Sequence, residues 1–403
     1  MRAFLVPVVA IVWCVVFALI LNLPGNVALQ GDEVTYWAAA KNIYSSFSPS
    51  ETRPLLIALI HGFPLLFGIT SLVLVNTWVV VLNLMLWVLS ILLVYKLTLG
   101  KAKAKASILL GFALLFCVGY LAICFKFLSE SVFIFMLVFC IYLVRKFIIT
   151  QNHNFLSASF GVLLLSILVK PLALGLVLIF TVFFFRQVLK IVLNKYSAIS
   201  VVALILIFFQ MDSLRKNQGD FTISYIDSFT YYNYLGDKAE CFKNGTHYRQ
   251  CKGKRYEAFV KLNNSQQKKA AAKDFTNQIR HNFPNLVKAY LYNLYANAFG
   301  GSRIIDTAHS GNESIQKILF RISRIQNVLL TFIGVFISVI DVSRFRKTSI
   351  FNLLLTFIFG YILVVSGISG NQGDRFSIVF YPIVILQMAY SDLLKAQFTR
   401  LRE

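Results

Sequence analysis

The sequence predicts an all-α polytopic membrane protein with about ten transmembrane helices, juxtamembrane helices after the first, and one large extracytoplasmic loop. Three observations predict it. Hydrophobic residues make up 58% of the 403 positions and mean hydropathy is +0.70, more apolar surface than a soluble domain tolerates. Apolar runs recur along the chain, most of them long enough for a bilayer span. Lysine and arginine cluster in the short stretches between those runs.

The runs fall at 3–23, 54–69, 71–97, 107–125, 131–149, 155–169, 172–193, 196–211, 326–343, 349–368 and 376–394. The first has no small-x-small cleavage site and is read as a retained helix rather than a leader. The second is decided by charge. With Arg2 placed in the cytoplasm, a span at 54–69 would send Lys101, Lys103, Lys105, Arg145, Lys146, Arg186, Lys190 and Lys195 outside. If 54–69 only dips into the interface, all of them fall inside, together with Arg344, Arg346, Lys347 and the basic tail. The run is also short and interrupted by Pro64. The expected organisation is therefore a transmembrane core at 1–211 with juxtamembrane helices at 32–69, an extracytoplasmic loop at 212–325, and closing transmembrane helices at 326–403.

The net charge of +22 follows from the same loop bias, and no soluble basic domain or motif points to nucleic acid. Cys14, Cys117, Cys124 and Cys140 lie in apolar runs and read as small hydrophobes. Cys241 and Cys251 lie in the polar loop, where an extracytoplasmic position permits a disulfide. There is no zinc-ligand spacing. Asn244, Asn263 and Asn312 each open a triplet of the glycosylation-acceptor type, a pattern frequent by chance. In the long loop, Val287, Tyr290, Leu291, Leu294 and Ala298 recur at helical spacing between Pro284 and Gly300-Gly301, which predicts a surface helix.

The candidate chemistry lies at one membrane face. Asp32 and Glu33 follow the first run directly, in a chain with only 17 acids; they suit helix capping and also a base beside a lipid-attached substrate. Glu130 opens a spanning run on the same face, as a capping acid or a functional one. Arg53, Lys170 and Arg375 are candidate phosphate clamps, with interface anchoring as the plainer reading of Arg53. His61 is read as an interfacial hydrogen-bonding residue rather than a metal ligand. Tyr36 and Trp37 on the first juxtamembrane helix are candidates to hold an acceptor or a sugar ring; Tyr225, Tyr231, Tyr232 and Tyr234, in a Tyr-rich stretch of the loop, suit either stacking on a sugar ring or an interfacial aromatic belt.

Five segments in this order resemble the GT-C membrane glycosyltransferases, the group that includes protein O-mannosyltransferases and the lipid A aminoarabinose transferase. GDEVTYWAAAKNI resembles the acidic signature after the first helix, with Asp32 at the catalytic acid's place. RPLLIALIHGFPLLFGIT resembles the basic, proline-containing stretch that follows, with Arg53 at the basic position and one proline kept. FLSESVFIF places Glu130, ILVKPLAL places Lys170, and DRFSIVFYP places Arg375. The resemblance covers about the first 190 residues and the last membrane segments; the long loop matches no part of it.

The resemblance implies sugar transfer, with inversion, from a polyprenyl-phosphate-linked donor to a lipid, glycan or protein acceptor. Asp32 is then the base, with Glu33 assisting. Arg53, Lys170 and Arg375 stabilise the leaving phosphate, and Glu130 orients the acceptor or holds a divalent metal ion. The implied setting is cell-envelope glycan biosynthesis at a bacterial plasma membrane, with both termini cytoplasmic. Two other readings stand beside it: a membrane polysaccharide polymerase or ligase working through Arg249, Arg280 or His281 of the loop, and a non-enzymatic lipid or glycan transporter.

Overall fold

The computed structural model describes residues 2–23, 29–99, 104–246, 254–308, 312–370 and 372–391. Helices dominate throughout. They run α1 (Arg2–Leu21), α2 (Asp32–Ser46), α3 (Leu55–His61), α4 (Leu72–Leu99), α5 (Ala104–Leu115), α6 (Val118–Cys124), α7 (Glu130–Thr150), α8 (His153–Ile167), α9 (Ala173–Phe183), α10 (Val188–Val192) and α11 (Ser197–Gln218). The outer segment adds α12 (Ile226–Thr230), α13 (Asp237–Lys243), α14 (Lys254–Val260), α15 (Asn264–His281), α16 (Phe283–Ala298) and α17 (Arg303–Asp306). The chain closes with α18 (Glu313–Ser343), α19 (Ile350–Ser366) and α20 (Ser377–Tyr390).

Among the described residues four helices are long and apolar enough to span by themselves: α4, α7, α11 and α18. Two more runs are bent pairs, α5–α6 at 52° and α9–α10 at 79°. Shorter apolar helices fill the remaining four runs, in α1, α8, α19 and α20. The doubtful run at 54–69 is no span. Its α-helix has seven residues, a rise of about 10 Å where a span needs about 30 Å. Pro54 starts it, and a five-residue 3-10 turn containing Pro64 ends it. The pair is pinned as a surface element: Trp78 donates to the Ile60 carbonyl and Tyr44 to the Leu59 carbonyl. Gly62 permits this, since a Cβ there would lie 2.7 Å from the Tyr44 ring.

The long helices expose apolar side chains and turn their few polar ones inward, as lipid requires. In α18 the buried positions Leu319, Ser323, Asn327, Leu330, Gly334 and Ile337 step by three and four residues. The opposite face exposes Ile325, Leu329, Phe332, Phe336 and Val339. Small residues let helices approach: a Cβ at Gly175 would meet the Tyr361 ring at 2.2 Å. The break between α5 and α6 frees backbone groups, and one amide satisfies two of them. Gln326 of α18 donates to the Phe116 carbonyl and accepts from the Val118 N–H.

The loop boundaries differ from the sequence expectation of 212–325. Helix α11 continues to Gln218 and stops at Gly219, whose φ of 91° is left-handed. Helix α18 begins at Glu313, where Asn312 accepts from the Ile315 N–H. Hydropathy marks where lipid ends, and these helices carry on past it. The intervening segment is helical, with a small core of Leu235, Ala239, Leu286 and Ala289. The predicted surface helix is α16, but its buried face is Leu286, Ala289, Asn293 and Asn297, while Val287 and Leu291 are exposed. Asn263 and Asn312 both act as helix N-caps. Cys241 is disulfide-bonded, and Cys251 lies outside the described residues; Cys14, Cys117, Cys124 and Cys140 are free thiols.

The Gln326 bridge yields a test. Gln326→Leu leaves two backbone groups of the α5–α6 break unpaired and is expected to cost about 1–3 kcal/mol, read as a lowered thermal midpoint of the purified protein in detergent.

Candidate active site

Five stretches at the edges of apolar runs converge. They are the start of α2, the stretch before α3, the start of α7, and the turns before α9 and α20. Arg53 donates to Asp32 Oδ1 at 2.7 Å, and Arg375 donates to Asp32 Oδ2 at 2.5 Å. Arg375 also reaches Glu130 Oε1 at 2.7 Å, and Lys170 reaches the same oxygen at 3.1 Å. The five candidates Asp32, Arg53, Glu130, Lys170 and Arg375 therefore form one network from chain segments up to 343 positions apart. Contacts this short place their junctions at the same end of the helix bundle.

The capping roles expected of the acids are largely replaced. Gly31 caps α2, and the Asp32 carboxylate turns to the two guanidiniums. Ser129 precedes α7 without a side-chain cap; its hydroxyl pairs with the Tyr36 hydroxyl instead. Glu33 retains a local contact, accepting from the Gln30 N–H, but it also accepts from the Phe127 N–H at 2.9 Å and from Lys126 at 3.4 Å. It ties α2 to the α6–α7 turn and stands apart from the Asp32–Arg375–Glu130 chain.

Exposure separates the two central acids. The Asp32 side chain is 41% exposed, whereas that of Glu130 is 0% exposed. Glu130 Oε2 has no hydrogen-bond partner among the described residues. Burial pushes the Asp32 carboxyl up, but the charges and hydrogen bonds of Arg375 and Arg53 outweigh it and hold the pKa below the ordinary value. Burial lowers the Lys170 ammonium, opposed by Glu130. The Arg375 guanidinium is held firmly charged by Glu130 and Asp32 against its own burial.

Neighbouring side chains fix the cations. The Arg53 guanidinium lies 4.3 Å over the Tyr36 ring and donates to Thr35 at 2.8 Å. Gln210 of α11 accepts from the Leu55 N–H and donates to the Ile223 carbonyl, which ties the Arg53 stretch to the outer segment. The turn carrying Arg375 is held by asparagines. Asn297 donates to the Ser366 and Ser369 carbonyls and accepts from the Gln372 N–H. Asn327 in turn donates to the Asn297 and Gly300 carbonyls. Gly373 takes φ 61°, and a Cβ there would lie 2.3 Å from the Gly301 carbonyl oxygen.

The aromatic candidates separate. Tyr36 is buried and supports Arg53, so it presents no open face. Trp37 is half-buried, edge-on to Phe127. Tyr231 bonds Asp274, and Tyr232 stacks flat on Phe259 at 4.0 Å, both within the outer segment. Tyr234 is the loop tyrosine that meets the site: it bonds Gln372, and burial and the Asp32 charge raise its hydroxyl pKa. A π-helical turn at Tyr231–Gly236 sets which tyrosine of the stretch faces inward.

His61 departs from its expected hydrogen-bonding role. It is fully buried beside Phe127 and Tyr36, and neither ring nitrogen has a hydrogen-bond partner among the described residues. Burial lowers its pKa to about 3, so it is neutral. Sequence reasoning missed Asp374. It is buried against Gly119, where a Cβ would lie 1.9 Å from its Oδ2. Only the packing of α6 against the Arg375 turn reveals it.

The two central acids are already engaged by cations. Among the described residues no three His, Cys, Asp or Glu side chains gather as ligands. Asp32 already meets Arg53 and Arg375, and Glu130 already meets Arg375 and Lys170. Three cations against two carboxylates suit an incoming anion better than a cation. The loop residues of the polymerase reading stand elsewhere. Arg280 and His281 are exposed at the end of α15, and Arg249 lies outside the described residues.

No family model matches the chain, and no curated protein matches it. Among solved structures it is similar to the archaeal oligosaccharyltransferase AglB from Archaeoglobus fulgidus, in complex with an inhibitory peptide and a dolichol-phosphate. The TM-score is 0.47 at 14% identity, over 100% of this chain and 51% of that one. The chain thus spans about half the length of that structure.

Asp374 generates a prediction. Burial raises its pKa from 3.8 to about 7, so between those values the folded chain holds a proton that the unfolded chain has lost. Stability is expected to fall as pH rises through that interval and to level off above it. Asp374→Asn should flatten this segment of the thermal-midpoint profile in detergent; an unaltered slope assigns the titration elsewhere.

Proposed function

We propose that this chain is an integral-membrane glycosyltransferase that moves a sugar from a polyprenyl-phosphate-linked donor to a lipid, glycan or protein acceptor, with inversion at the anomeric carbon. The observation that supports it most is the combination at Asp32: a half-open carboxylate held between two guanidiniums, in a cluster with more cations than acids.

In this reading the donor phosphate enters as the missing negative charge. Its oxygens compete with Asp32 for Arg375 and Arg53 and engage Lys170 while Glu130 keeps its hold on Arg375 and Lys170, and the charge-assisted bonds strengthen as the phosphate departs. Withdrawing the guanidiniums also restores the basicity of Asp32. The acceptor hydroxyl then loses its proton to Asp32 while its oxygen bonds the anomeric carbon. The bond from that carbon to the phosphate oxygen breaks in line, and the phosphate keeps the electron pair. No general acid is required, since phosphate is a stable leaving group. Glu130 positions Arg375 and Lys170, and Glu33 sets the orientation of α2. Tyr36 and Trp37 brace that helix, and in this reading Tyr234, bonded to Gln372, contacts the transferred sugar.

The principal test is mass analysis of cell-surface glycans and lipids from cells expressing the wild type or Asp32→Asn at matched protein level. Loss of the base is expected to reduce transfer by about 10²–10⁴-fold. An unchanged product profile overturns the reading, and loss only in Arg280→Ala or His281→Ala favours a polymerase. A second expectation concerns pH. In the free enzyme Asp32 is held below its ordinary pKa, so kcat/KM should stay flat through neutrality and fall only below the ordinary carboxylate range. The corresponding limb of kcat, which reports the donor complex, should lie at higher pH. Coincident limbs would mean that donor binding leaves the guanidiniums on Asp32.

A further inference from the structure

A second basic site lies at the other end of α7. A cavity of about 320 Å³ is walled by Lys96, Tyr142, Arg145, Lys146, Ile149 and Tyr390. Arg145 stands 15 residues beyond Glu130 on one continuous helix, a rise of about 22 Å, which carries it across most of a hydrocarbon layer of about 30 Å. The cavity is therefore at the membrane face opposite the carboxylate cluster.

Its chemistry differs from that cluster in one respect. There, Arg53, Lys170 and Arg375 each meet a carboxylate. Here, no carboxylate among the described residues lies within ion-pair distance of Lys96, Arg145 or Lys146. The guanidinium of Arg145 is oriented by two aromatic faces, Phe351 at 5.4 Å and Tyr390 at 5.2 Å. Those faces are fixed in turn. Tyr390 donates to the Leu97 carbonyl at 2.9 Å, and Asn352 donates to the Tyr390 carbonyl at 3.0 Å. Arg145 and Lys146 are half-buried and both line the cavity. At the rim Ile149 is 63% exposed, which offers an apolar contact directly beside the cations.

We propose that this cavity binds the phosphate headgroup of an anionic membrane lipid from the leaflet opposite the carboxylate cluster. A held guanidinium with two ammonium groups supplies donors for phosphate oxygens, and the apolar rim suits the attached acyl chains better than it suits a free ion. The proposal is independent of the transfer reaction and concerns a separate surface.

The test uses the purified full chain in an uncharged detergent, titrated with short-chain phosphatidylglycerol, phosphatidylcholine or inorganic phosphate, with bound lipid counted by native mass spectrometry. Saturable binding of phosphatidylglycerol is expected, with little of phosphatidylcholine. Arg145→Gln removes a charge-assisted contact and should weaken that binding about tenfold. Lys146→Gln, which spares the aromatic stack, should weaken it in the same direction. Arg346→Gln removes a charge from an exposed loop on the same face and should leave it nearly unchanged. Equal thermal midpoints without lipid establish that the variants are folded. Wild-type affinity in both cavity variants overturns the proposal, as does equal binding of phosphatidylcholine. An equal loss in Arg346→Gln overturns it in favour of diffuse surface charge. Full displacement by equimolar inorganic phosphate overturns the lipid source in favour of a free anion.

Discussion

The site depends on Arg375. Its guanidinium spans two carboxylates, Asp32 at 2.5 Å and Glu130 at 2.7 Å, and so joins the start of the chain to its last helix. Glu130 is fully buried, and a buried carboxylate without a partner is costly. Arg375 and Lys170 together offset that cost, and Arg375 then has one edge left for Asp32. The geometry of the half-open acid is thus set by the needs of the closed one. An anion that competes for Arg375 acts on both acids at once, which is why donor binding and the basicity of Asp32 are coupled in the proposed reaction.

Holding that guanidinium still requires that the backbone at 366–370 and 372–375 be fixed. The turn lies where helices end and backbone groups lose their partners. Amide side chains, which donate and accept in one group, meet that need. Asn297 serves three backbone groups of the turn, Asn327 secures Asn297's own backbone, and Asn293 reaches the Gly367 carbonyl. Gln210 does the same for the stretch carrying Arg53, and Gln326 for the α5–α6 break. Two of these asparagines belong to α16 of the outer segment. That segment is therefore part of the site's scaffold, although it shares no motif with the rest.

Several residues that suit a local role serve a distant one. Asp32 begins a helix, and its carboxylate lies across the site on two arginines. Ser129 stands at a helix start and bonds Tyr36, 93 positions away. Asn263 and Asn312 show the reverse, with glycosylation-type triplets that are ordinary N-caps here. A short polar side chain at a helix end is chemically ready for either use, and its surroundings choose between them.

The sequence by itself determined the membrane class, the ten apolar runs and the exclusion of 54–69 as a span. These are one-dimensional properties, because lipid selects on local hydropathy and on the charge of short loops. It also named Asp32, Arg53, Glu130, Lys170 and Arg375, since charge at the edge of an apolar run is conspicuous in a chain this poor in acids. Only the tertiary structure decided who pairs with whom. It buried Tyr36 and His61, chose Tyr234 over Tyr231 and Tyr232 among the loop tyrosines, carried α11 and α18 past the ends of their apolar runs, and set Asp374 against Gly119. Those outcomes depend on contacts between segments far apart in the chain, and on which faces of neighbouring helices meet. No local pattern of residues encodes them.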